Sequence, residues 1–184
     1  DATVPRERAF FHLAGRSKNK GTQVLMDAWR RHPEWPRLTV VQSAKTAQPG
    51  TPAPNITHLT GYVEDAELRR LQNAHAFHIC PSEAEGFGHL LMEGLSTGAV
   101  LVTTDGAPMH ELVTPERGLL IPPARTGTLN LSPQYFVDVA GIEDAVARAL
   151  ALDDAQRATL GAAARRYFEG ADAAFRAALP TALA

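Results

Sequence analysis

The stretch "AGRSKNKGT" (14–22) places Arg16, Lys18 and Lys20 within five residues, between Gly15 and Gly21. It follows the apolar run 9–15 and leads into 22–32, where Val24, Leu25, Ala28 and Trp29 recur at helical spacing. Cations on a strand-to-helix loop, beside the free N–H groups of a helix start, make a site for an anion. The order is not that of a Walker loop, because the lysine precedes the glycine. A solvated basic turn is the plainer reading of this loop taken alone.

A second cluster lies in "CPSEAEGFGHLLMEGLSTGA" (80–99). Gly86 and Gly88 flank Phe87 and let backbone approach a ligand closely, with amides free to point at phosphate oxygens. The helix expected over 89–98 has no Ser, Thr, Asp or Asn at its start, so a ligand anion can supply the missing acceptor. Glu93 stands about one turn into that helix. Its carboxylate can accept two hydrogen bonds from neighbouring hydroxyls, as a ribose presents them. Glu85, just before the glycines, can do the same for a sugar. His89 can donate to a phosphate or sugar oxygen, or serve only as a polar helix start.

These groups need elements to carry them. Apolar runs at 9–15, 37–43, 56–61, 76–80, 100–104 and 118–122 read as strands. Helical patterns separate most of them: 22–32, 66–75 with Asp65 as cap, 89–98, and a short helix from Pro108. Residues 44–55 form a Pro/Gly loop. The expected class is α/β, a Rossmann-like parallel sheet of about six strands with helices on both faces. Such sheets bind ligands at the carboxyl ends of their strands, near the point where strand order reverses. The 184 residues suit one domain, with 123–141 an irregular insertion and 142–184 a helical tail broken near Leu152-Asp153 and Glu169-Gly170.

Taken together, the clusters resemble the C-terminal, donor-binding domain of a GT-B glycosyltransferase of family 4. Gly15, Arg16, Lys20 and Gly21 match that family's first motif. Pro81, Ser82, Glu85, Gly86, Phe87, Gly88 and Glu93 match its second, in which two glutamates stand with seven residues between them. "TTDGAPMHELV", with Asp105, Pro108 and Glu111, resembles its third. The likeness runs from about residue 8 to 122 and departs at His89 and Leu90, where an apolar residue and a proline are usual.

The resemblance implies a retaining, metal-independent transfer of a sugar from a UDP-, GDP- or ADP-sugar, with no other cofactor. Arg16 and Lys20 would hold the diphosphate, Glu85 the donor sugar and Glu93 the ribose. Gly15 and the backbone of Gly86, Phe87, Gly88, His89 and Leu90 would contact donor oxygens, and Tyr62 or Val63 would lie near the base. It also implies a partner half, an N-terminal Rossmann-like acceptor domain, without which the chain is a fragment inactive alone. Peripheral membrane contact would come through that half.

Composition sets the outer bounds. Apolar residues make up 45% and charged residues 21%, with formal charge −2, and no basic stripe argues for nucleic acid. Cys80 is the sole cysteine; it is expected to be a buried thiol, forms no internal disulfide and suits a reducing, cytoplasmic setting. No run approaches the length of a membrane span. His75 and His78 are not expected to share a metal, and Trp29 and Trp35 are read as packing. Two other functions compete. A dinucleotide-binding oxidoreductase would use Gly86-x-Gly88 and Asp105, but Leu91 replaces the third glycine and Pro81–Glu85 separate the glycines from their strand. A nucleotide-sugar-binding module without catalysis is the other, against which the intact Arg16, Lys20, Glu85 and Glu93 set argues.

Overall fold

The computed structural model describes residues 3–48 and 50–182. In chain order the main elements are β1 (Glu7–Gly15), α1 (Thr22–Arg31), β2 (Leu38–Gln42), β3 (Ile56–Thr60), α2 (Asp65–Ala74), β4 (His75–Cys80), α3 (His89–Thr97), β5 (Val100–Thr104), α4 (Met109–Leu112) and β6 (Gly118–Ile121). There follow β7 (Arg125–Leu129), β8 (Ser132–Phe136), α5 (Val139–Ala151) and α6 (Asp154–Ala182).

The first six strands form one parallel sheet in the order β3-β2-β1-β4-β5-β6. Order therefore reverses between β1 and β4, where Phe10 pairs with Phe77 on one side and with Leu38 on the other. Alternation along β1 sends neighbouring residues to opposite faces. Phe10 enters a core with Trp29, Phe77 and Ile142, and Phe11 one with Val41 and Leu71. Phe10 stacks on Phe77 at 4.7 Å and meets Trp29 edge-on at 5.0 Å. Trp29 in turn packs edge-on against Trp35, as read from the sequence.

Four local expectations are corrected. Residues 123–141 are not irregular: β7 and β8 pair as an antiparallel hairpin turned at Asn130, which has a positive φ of 54°. Pro133 lies within β8, and a proline obscures a strand pattern although a two-stranded edge tolerates it. The tail does break at Leu152-Asp153, between α5 and α6, but α6 runs unbroken through Glu169-Gly170. A mid-helix glycine costs only about 1 kcal/mol, too little to end a long helix. Asp65 is not a cap; Glu64 holds that position without a side-chain cap bond, and Asp65 lies in the first turn. His75 opens β4 rather than closing α2.

Among the described residues no helix is long and apolar enough to cross a membrane.

Candidate functional site

The carboxyl ends of β1 and β4 flank the reversal of strand order, and an open cleft of about 380 Å³ lies there. Leu13, Ala14, Gly15 and Lys20 line it from β1 and its loop; Glu85 through Leu90, with Glu93, line it from beyond β4. Two loops far apart in sequence thus meet because parallel strands deliver their carboxyl ends to one edge.

Lys20 and Glu85 face each other directly. The Lys20 ammonium donates to Glu85 Oε1, which also accepts from Ser82 Oγ at 2.8 Å. Their side chains are 13% and 7% exposed, so the pair is largely shielded. An ammonium has three donors, and Glu85 takes one, leaving two for a ligand in the cleft. The expected division of labour, lysine for phosphate and Glu85 for sugar, becomes a coupled unit.

Backbone completes this wall. Gly88 adopts the left-handed region at φ 73° and starts α3 with no side-chain cap. The amides that first bond back into the helix are those of Leu91 and Met92, both onto Gly88 O. The amides of His89 and Leu90 precede that ladder at the helix's positive end. Phe87 is exposed, its ring 4.6 Å from that of His89. Glu93 Oε2 accepts from Gln72 Nε2 at 2.8 Å.

Arg16, Tyr62 and Val63 do not line this cleft. They line a neighbouring one of about 340 Å³, over the ends of β1 and β2, and Gly15 is shared by both. Arg16 and Tyr62 are exposed there.

The loops are locked to each other by contacts that no motif announces. Glu83 N–H donates to Asn19 O at 3.0 Å, its carbonyl accepts from Tyr135 N–H at 2.8 Å, and its carboxylate accepts from Gln134 Nε2 at 2.8 Å. The hairpin therefore holds Glu83, which holds the lysine loop. Gly21 sits at the same junction. Its φ is 61°, and a Cβ there would come within 2.3 Å of Pro81 O, a backbone atom. Gly21→Ala is expected to destabilise the chain by about 2–4 kcal/mol, combining backbone strain with a clash that a side-chain shift cannot relieve. Gly170→Ala, where nothing lies within 4 Å, is expected to stabilise by up to about 1 kcal/mol. Urea midpoints of the two variants check the contrast.

Three buried histidines, His12, His75 and His78, serve the fold. His12 Nδ1–H donates to Ile79 O at 2.8 Å and Nε2 accepts from Thr22 Oγ1 at 2.9 Å. His75 and His78 each donate to a carbonyl near the end of α2, Leu71 O and Gln72 O. Burial lowers the pKa of His12 and of His78 to about 4, and lowers that of His75 as well. Among the described residues no group of three or more His, Cys, Asp or Glu is placed to hold a metal. Cys80 is buried, which pushes its thiol pKa up.

With this geometry in hand, sequence comparison is decisive about kinship. A family model described as glycosyl transferases group 1 matches residues 8–150. The chain belongs to that family. As a group 1 glycosyl transferase chain it shares its fold with several solved structures. Sucrose-phosphate synthase from Thermosynechococcus elongatus is 22% identical, with a TM-score of 0.69, over 92% of this chain and 42% of that one. The C-terminal domain of a glycosyl transferase group 1 family protein from Francisella tularensis is 18% identical, TM-score 0.64, over 92% of this chain and 88% of that domain. HepE of Anabaena, solved in complex with UDP and glucose, is 16% identical, TM-score 0.62, over 92% and 45%. This chain thus spans less than half of the first and third, and nearly all of the isolated C-terminal domain. No curated protein matches the chain in sequence.

Proposed function

We propose that this group 1 chain is the donor-binding half of a retaining family 4 glycosyltransferase, moving a sugar from a nucleoside-diphosphate sugar to an acceptor without a metal. One observation carries the reading. A single cleft at the reversal of strand order gathers a cation, glycine-flanked amides at an uncapped helix start and a carboxylate one turn further on. Lys20, with Arg16 from the adjoining cleft, would bind the diphosphate and offset charge as the nucleotide departs. Glu85 would orient Lys20 and contact the donor sugar. Glu93 would hold the ribose hydroxyls, with the base toward Tyr62 and Val63. A companion Rossmann-like half would supply the acceptor site, in keeping with full-length relatives about twice as long. A reducing compartment such as the cytoplasm suits the buried thiol of Cys80.

The test is calorimetric titration of the chain with UDP, GDP and ADP, with and without EDTA. At least one nucleotide is expected to bind in the micromolar to millimolar range, unchanged by chelation, with no sugar transfer until an acceptor half is supplied. Affinity that collapses with EDTA and returns with magnesium would sink the cationic clamp. Glu93→Gln should weaken binding about 5–20-fold, since a charge-assisted pair becomes neutral hydrogen bonds.

A further inference from the structure

Glu93 is an exposed residue on a helix surface, where a glutamate ordinarily samples many rotamers. Here one of its oxygens is already taken. Gln72, on α2 and only 8% exposed, donates Nε2–H to Glu93 Oε2 at 2.8 Å. A carboxylate only accepts, so the amide nitrogen must face it. Gln72 is itself pinned. The last carbonyls of a helix lack intrahelical partners. At the end of α2 two of them are answered by imidazoles of the next strand: Leu71 O accepts from His75 Nδ1–H at 2.7 Å, and Gln72 O from His78 Nε2–H at 2.8 Å. His78 in turn packs under α3 at Gly94, where a Cβ would stand 3.0 Å from its Nδ1. The same imidazole thus fixes the backbone of Gln72 and lies against the residue next to Glu93.

We infer that Gln72 is a positioning residue for recognition of the donor's vicinal diol: it occupies Glu93 Oε2 and turns Oε1 toward the cleft. This rests on the ribose role proposed for Glu93. The contact freezes a carboxylate before the ligand arrives, so less rotamer entropy is lost on binding. Neither sequence spacing nor any motif links Gln72 to Glu93; only the packing of α2 beside α3 does.

The experiment compares UDP, 2′,3′-dideoxy-UDP and pyrophosphate on the full chain and on Gln72→Leu. On the natural chain the dideoxy ligand is expected to bind about tenfold more weakly than UDP. On Gln72→Leu that ratio should fall to about threefold, while pyrophosphate affinity stays unchanged. Equal binding of UDP and its dideoxy analogue by the natural chain overturns the ribose role of Glu93, and with it this inference. A tenfold ratio kept in full by Gln72→Leu overturns the inference alone. If that variant does not fold, Gln72→Met and the natural chain decide. In the natural chain the Gln72 side-chain amide resonances should shift with UDP and stay in place with the dideoxy ligand. Identical shifts with both ligands overturn the role of Gln72.

Discussion

Lys20→Ala is expected to lose affinity for the nucleoside diphosphate that the natural chain binds by about 10–100-fold and also to lower folding stability by about 2–4 kcal/mol. Both losses come from one geometry. The Lys20 ammonium is the cation within the cleft, and it is also the charge partner of Glu85, whose side chain is 7% exposed. Removing it leaves a shielded carboxylate with Ser82 Oγ as its remaining side-chain donor among the described residues. Breaking such a pair from one side is costly, whereas neutralising both partners is much less so. The double variant Lys20→Ala/Glu85→Gln should therefore recover most of the stability and none of the affinity. Urea denaturation and calorimetry on the three chains separate the effects. A Lys20→Ala chain that binds that nucleotide as tightly as the natural one would remove Lys20 from the phosphate site.

Acid should unfold the chain well above the pH at which its surface carboxylates titrate. His12 and His78 are essentially buried, and burial lowers their pKa from an ordinary 6.5 to about 4. Between those values the unfolded chain binds more protons than the folded one, so stability falls as pH drops through that window. It is fully present above about 6.5 and the loss is complete below about 4. Each imidazole contributes on the order of 3 kcal/mol. His75 and His58, also lowered by burial, act in the same direction. His32, raised by its contact with Glu143, acts with opposite sign: its contribution is present below 6.5 and lost as pH rises through its folded value. Urea midpoints at pH 7, 5.5 and 4.5 should fall steeply. His12→Gln should flatten the slope by about one proton. A midpoint that stays constant from pH 7 to 4.5 would show that these imidazoles are protonated in the folded protein.

Much of the fold was legible in the chain because its signals are local. Runs such as "RLTVVQS" and "VLVTT" are rich in β-branched residues and show no polar–apolar alternation, and their strands are buried at every position because strands of a parallel sheet are covered on both faces. Lysines on one loop, glycines on another and a helix start without a cap residue marked, by residue type alone, two loops that line one cleft. The hairpin was not legible, since Gly127 and Pro133 interrupt the alternation that would mark its strands. Nor were three relations inside the site. Lys20 and Glu85 form a pair because β1 and β4 are neighbours in the sheet though distant in sequence. Arg16 and Lys20, four residues apart, line different clefts because Gly15 sits on the wall between them. Gln72 reaches Glu93 only because α2 and α3 pack side by side on one face. Residue type and short-range spacing determined which chemistry the chain carries. Which groups touch, and which of them are already engaged, was decided by the order of strands, a long-range property that no local pattern encodes.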